Sequence, residues 1–110
     1  MAFDEGLADR IRRTLPRGRS ISERKMFGGL AFFLNGNMFC GVVKDHLMLR
    51  LGDDGAAVAL QQPHVRPMDF TGRPMKSMVY VDARGIDRDD ALSRWIDAAL
   101  RYSKTLPRKK

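Results

Sequence analysis

Residues 30–51, LAFFLNGNMFCGVVKDHLMLRL, are three short apolar runs broken twice by a polar pair. Asn35-Gly36 is the first break. Both residue types tolerate positive φ, which a two-residue type I′ hairpin turn requires. Lys44-Asp45 is the second, and the runs Leu30–Leu34, Met38–Val43 and His46–Leu51 have the apolar, aromatic composition of strands. The pattern predicts a three-stranded meander, with room for a further strand before Gly28. Counting across two-residue turns pairs Phe33 with Met38, Ala31 with Cys40, Cys40 with Leu49, and Val42 with Leu47. Opposed residues share a face. One face then holds Ala31, Phe33, Met38, Cys40, Val42, Leu47, Leu49 and Leu51, wholly apolar and therefore the expected core wall. The other holds Leu30, Phe32, Leu34, Asn37, Phe39, Val43, His46, Met48 and Arg50. Phe32, Phe39 and Met48, with Arg50 on their rim, make the candidate interface, unless a loop or the C-terminal tail covers them.

Outward from this stretch the period changes. Phe3, Leu7, Ala8, Ile11 and Leu15 repeat at steps of three and four, predicting a helix over 3–15, and Pro16 and Gly18 open a loop over 16–21. Gly28-Gly29 reads as a bulge or a close-packing point rather than half of a phosphate loop, because a strand follows. Residues 53–61 read as a short helix capped by Asp53 or Asp54, and residues 62–74 as irregular, with a strand near 68–74 as an alternative. Lys76–Val81 reads as a strand that Arg73-Pro74-Met75 could extend at an edge. Residues 88–103 read as a helix capped by Asp87, with Leu92, Trp95, Ile96, Ala99 and Leu100 as its buried stripe. The order predicts an α+β fold, a two-layer sandwich of antiparallel sheet with helices on one face.

The chain has 110 residues and 44% apolar composition, enough for one domain with one core. Residues 1–103 are expected to form that domain, and 104–110 a flexible basic tail. No apolar run is long enough for a membrane span, and MAFDEGLADRIRR has no apolar core of a secretory signal. A single cysteine, Cys40, forms no internal disulfide, so a cytoplasmic location is expected. The formal net charge is +7. Two basic clusters supply candidate nucleic-acid contacts: Arg12, Arg13, Arg17 and Arg19 in one, Lys104, Arg108, Lys109 and Lys110 in the other. A solvated helix face and a solvated tail explain the same residues. Few aromatics flank these clusters, so base stacking has little support.

Nothing in the sequence assembles catalytic chemistry. Cys40 alternates onto the core face, where a thiol is inert. His46 and His64 have no further ligand at zinc spacing, and no nucleophile elbow or phosphate loop is present. No catalytic residue, metal or cofactor is expected. Asp53-Asp54 and Asp89-Asp90 sit where helices begin. Met26, Met38, Met48, Met68, Met75 and Met78 read as core filler, though methionines also suit adaptable binding surfaces.

The segment Arg24-Lys25-Met26-Phe27-Gly28-Gly29-Leu30, followed by Phe32-Phe33-Leu34-Asn35-Gly36-Asn37-Met38-Phe39, resembles the signature of the TfoX/Sxy N-terminal domain family. Its motif residues here are Lys25, Met26, Phe27, Gly28, Gly29, Asn35 and Gly36. His46–Leu51, Met78–Val81 and the last helix with Trp95, Ala99 and Leu100 fit the remainder, over about residues 7–103. The resemblance implies an α-β-β-β-α-β-β-α fold similar to type III secretion chaperones. It also implies regulation of natural competence as a transcriptional co-activator beside a cyclic-AMP receptor protein, with no catalytic residues. Such regulators carry a second, C-terminal domain, and the present sequence reads as a stand-alone one. A protein partner, such as a transcription factor, is expected, with a homodimer and direct nucleic-acid binding as alternatives and no membrane association. An enzyme is the third reading.

Overall fold

The computed structural model describes residues 3–15, 21–26, 28–70 and 73–107. Helix α1, Glu5–Thr14, starts at Asp4, whose carboxylate accepts a hydrogen bond from the Leu7 amide at 3.1 Å. Four strands follow: β1 (Ile21–Met26), β2 (Gly29–Leu34), β3 (Asn37–Val43) and β4 (His46–Arg50). Helix α2, Gly52–Ala59, leads to a hairpin of β5 (Val65–Phe70) and β6 (Arg73–Val81). A single 3-10 turn, Ala83–Ile86, feeds the long helix α3, Asp89–Ser103.

The strands form one antiparallel sheet in the order β1-β2-β3-β4-β6-β5. Asn35 and Gly36 both take positive φ, 52° and 82°, as the expected type I′ turn needs. All three helices lie on one face. Their stripes, including Leu7 and Ile11 of α1, Ala56 and Ala59 of α2, and Leu92 and Ile96 of α3, close over Leu30, Phe32, Cys40, Val42, Leu47, Leu49, Val79 and Val81. This is the α+β sandwich the sequence predicts, with one strand more than the three-strand opening. β1 occupies the space before Gly28, and β5 fills part of the segment read as irregular.

One expectation is overturned, and the cause is a single residue. β2 pairs with β3 as Phe32↔Cys40 and Ala31↔Gly41 on one side of a register shift, and Phe33↔Met38 on the other. Phe39 is the extra residue of a β-bulge, which breaks strict alternation. Counting without a bulge carries the wrong parity into β2. Leu30, Phe32, Leu34 and Phe39 therefore face the helices, with Phe32 and Phe39 wholly buried. Ala31, Phe33 and Met38 turn to the opposite face. The β3–β4 half of the register, Cys40↔Leu49 and Val42↔Leu47, is as expected.

The caps differ too. Asp87 does not cap α3; the position before its first turn is Arg88, and no side chain bonds there. Leu51 precedes α2, so Asp53 and Asp54 sit inside its first turn. They act on the helix dipole rather than as caps.

Candidate functional site

Six strands with helices on one side leave the other side of the sheet with no helix over it among the described residues. β4 and β6 set its centre. Gly41 of β3 lies opposite Met48, and a Cβ there would come within 2.6 Å of the Met48 methyl and 2.7 Å of the Leu30 carbonyl oxygen. Glycine thus lets the Met48 side chain lie flat across β3. Met48, Met68 and Met78 form a second apolar cluster, and Met38, Val43 and Tyr80 pack around it half-buried. The Arg24 guanidinium lies over the Phe33 ring, and that of Arg66 over the Tyr80 ring, each 5.7 Å from the centroid. Arg66 Nε also donates to Asp82 at 2.8 Å. Half-buried Arg50, beside Met78 in the register, adds a third guanidinium. The result is a buried methionine cluster under half-buried Met38, Val43 and Tyr80, with guanidiniums at its margins.

Of the four candidate interface residues, Met48 and Arg50 lie on this outer face. Phe32 and Phe39 are in the core, for the reason given by the bulge. Phe33, Met38 and Tyr80 are on the face and were not singled out from sequence, although five of the methionines, Met26, Met38, Met48, Met68 and Met78, all fall here. None enters the helix-side cluster. That uniform residue type was the available signal.

The family-motif residues build backbone. Gly28 takes φ 73°, and a Cβ on Gly29 would run into the carbonyl oxygen of Val42. This is the close-packing point expected of the pair. Exposed Lys25 and half-buried Met26 end β1. Phe27 lies outside the described residues.

The basic clusters are partly neutralised. Arg12 makes a fork to Glu23 at 2.7 and 2.9 Å and a further bond to Asp9 at 2.6 Å. The Glu23 bond, then that of Asp9, holds the Arg12 guanidinium more firmly charged, and Arg12 in turn lowers the Glu23 pKa. Arg10 is committed to Asp89 and to the Ile86 carbonyl. Arg13 and Lys104 are exposed. Arg17, Arg19, Arg108, Lys109 and Lys110 lie outside the described residues.

Cys40 is fully buried, and burial pushes its thiol pKa well up. It is the inert core residue the alternation predicts. The histidines are brought together as the sequence does not show: His46 and His64 line an open recess of about 580 Å³ with Asp45, Arg66, Asp82 and Arg84. The backbone bond from the Asp82 amide to the His64 carbonyl, 2.8 Å, closes that corner, and His46 Nδ1 lies 3.0 Å from Asp45. Cys40 is not part of it. Among the described residues no group of three His, Cys, Asp or Glu side chains could hold a metal ion. On the helix side, Leu51, Val58, Ala59, Trp95 and Ala98 line a shallow groove between α2 and α3.

Compared with known families, residues 14–103 match the model of the TfoX N-terminal domain. No curated protein matches the chain, and no solved structure does. No helix among the described residues is long and apolar enough to cross a membrane.

Proposed function

The chain belongs to the TfoX N-terminal domain family, and from that premise we propose that it is a non-catalytic regulatory domain that works in the cytoplasm by protein–protein contact through the outer face of its sheet. The family supports a regulatory, competence-type role in general terms. The observation that carries the contact surface is the position of the methionines. Met48, Met68 and Met78 form an apolar cluster on the face opposite all three helices, with Met38, Val43 and Tyr80 half-buried around it. The three methionines are themselves buried, so the surface a partner would meet is Met38, Val43 and Tyr80 with the guanidiniums around them, on a face that no described helix covers. Methionine suits the task, because its unbranched thioether repacks against differently shaped partners. Action on a transcription factor, as in competence regulation, is the specific form proposed.

The reading is tested by affinity capture from native extract with the wild-type chain, with Met38→Glu and Val43→Glu on the outer face, and with Arg94→Glu on the exposed side of α3. Proteins retained by the wild type and by Arg94→Glu, but lost with both outer-face variants, are expected. Retention by all four chains would overturn the reading. Direct nucleic-acid binding is the second reading. Its observation is exposed Arg13 and Lys104, but Arg10 and Arg12 of the same helix are already ion-paired.

A further inference from the structure

The charges around the outer face specify what kind of segment it accepts. Arg24 stands on β1 and Arg66 on β5, the two edge strands of the sheet, while Arg50 stands on β4 between them. Three guanidiniums share a face whose interior is methionine. Two carboxylates stand at one end of the face: Asp82, held by Arg66, and Asp45 in the β3–β4 turn beside His46. Among the described side chains, Arg24 and Arg50 form no ion pair.

We propose that this face binds an extended acidic segment of a partner, with carboxylates toward Arg24, Arg50 and Arg66 and an apolar side chain against the half-buried Met38, Val43 and Tyr80 that cover the buried methionines. The inference rests on the contact face proposed above and names the chemistry of its occupant. Two arrangements narrow it. First, a second copy of the chain would bring the same cations face to face, and like charges in contact oppose association. Second, the two half-buried rings, Phe33 and Tyr80, are already covered by guanidiniums. A nucleobase would have to displace an arginine to stack there. A carboxylate needs no such displacement, because the N–H edge of a stacked guanidinium remains open to a two-oxygen acceptor. The span also sets a length. Five strand spacings separate β1 from β5, about 24 Å, which an extended segment of roughly seven residues crosses.

The test is fluorescence anisotropy at low and physiological salt with a labelled nonapeptide, Glu-Asp-Glu-Leu-Met-Leu-Glu-Asp-Glu. Its controls are the same peptide with every acid replaced by Lys, and a twelve-nucleotide thymidine oligonucleotide. Saturable binding of the acidic peptide is expected, weakening as salt rises, with no binding of the basic peptide. Arg24→Glu and Arg50→Glu together should weaken it at least about tenfold, while Arg94→Glu leaves it unchanged. Circular dichroism of the double variant confirms its fold, and the basic peptide reads the same charge dependence on the unaltered chain. Tighter binding of the oligonucleotide than of the acidic peptide would overturn the proposal, as would equal binding of the two peptides. So would self-association through this face in sedimentation equilibrium, abolished by Met38→Glu. If the acidic peptide fails while Met38→Glu still loses captured proteins, the acidic occupant is wrong and the contact face stands. If Met38→Glu loses nothing in capture, the contact face itself is wrong.

Discussion

Gly29 shows how much of this fold hangs on single backbone positions. The strand β2 begins where the Gly29 Cα comes close to the Val42 carbonyl of β3, with no room for a methyl group. Val42 is itself a fully buried core residue, so the neighbour cannot retreat without moving the sheet. Gly29→Ala should therefore cost on the order of 1–3 kcal/mol, read as a lower urea midpoint at unchanged slope. An unchanged midpoint would show that the β2–β3 approach is looser than described. Gly41 plays a matching part further along the same face, where its missing side chain makes the space that Met48 fills. Phe39 is the third such residue. It takes no special conformation that its type announces, yet its insertion as a bulge decides which way Leu30 to Leu34 of β2 point.

At the level of elements, composition carried most of the fold. The three strands after Gly28, the Asn35-Gly36 turn, the amphipathic helices at each end and the placing of helices on one face were all legible, because each depends on local spacing or on turn chemistry. What was not legible depends on contacts distant in sequence. β1 was legible only as room for a strand before Gly28, because Ser22, Glu23, Arg24 and Lys25 have no apolar alternation; it is an edge strand with Glu23 bonded to α1 and Arg24 over Phe33 on the outer face. The bulge at Phe39 left β4 and the part of β3 from Cys40 onward correctly sorted, but inverted the faces of β2 and misplaced Met38 and Phe39. The candidate interface inherited that error, keeping Met48 and Arg50 and losing Phe32 and Phe39 to the core. The pairing of α1 with β1 through Arg12 and Glu23 was equally hidden, since eleven positions separate the partners. Its effect on stability has a definite sign. Arg12 lowers the Glu23 pKa in the folded chain. The pair therefore stabilises above the unfolded carboxylate pKa of about 4.3, and its contribution disappears as pH falls through the lowered folded value. Both side chains are more than a third exposed, so solvent screens the pair and limits its worth to roughly 0.2–0.5 kcal/mol. Glu23→Gln should lower the denaturation midpoint slightly at pH 7 and converge with the wild type below about pH 4. A gap that widens on acidification would contradict the sign.

For the molecule as a whole, two apolar layers with different residue types divide the work. The helix side is packed by Leu, Ile, Val, Ala and Phe, which have well-defined rotamers and give a fixed core. The outer side is packed by methionine with arginine at its margins, a surface that tolerates repacking. The separation follows from topology, since all the described helices lie on one face of the sheet and leave the other uncovered by them. The most direct test is site-specific photo-crosslinking in living cells. Benzoylphenylalanine is placed at Phe33 or Met38 on the outer face, or at Arg94 on the exposed side of α3. Contact through the outer face requires discrete protein adducts from positions 33 and 38 and none from position 94. Adducts from position 94 alone, with the outer-face positions silent, would contradict it.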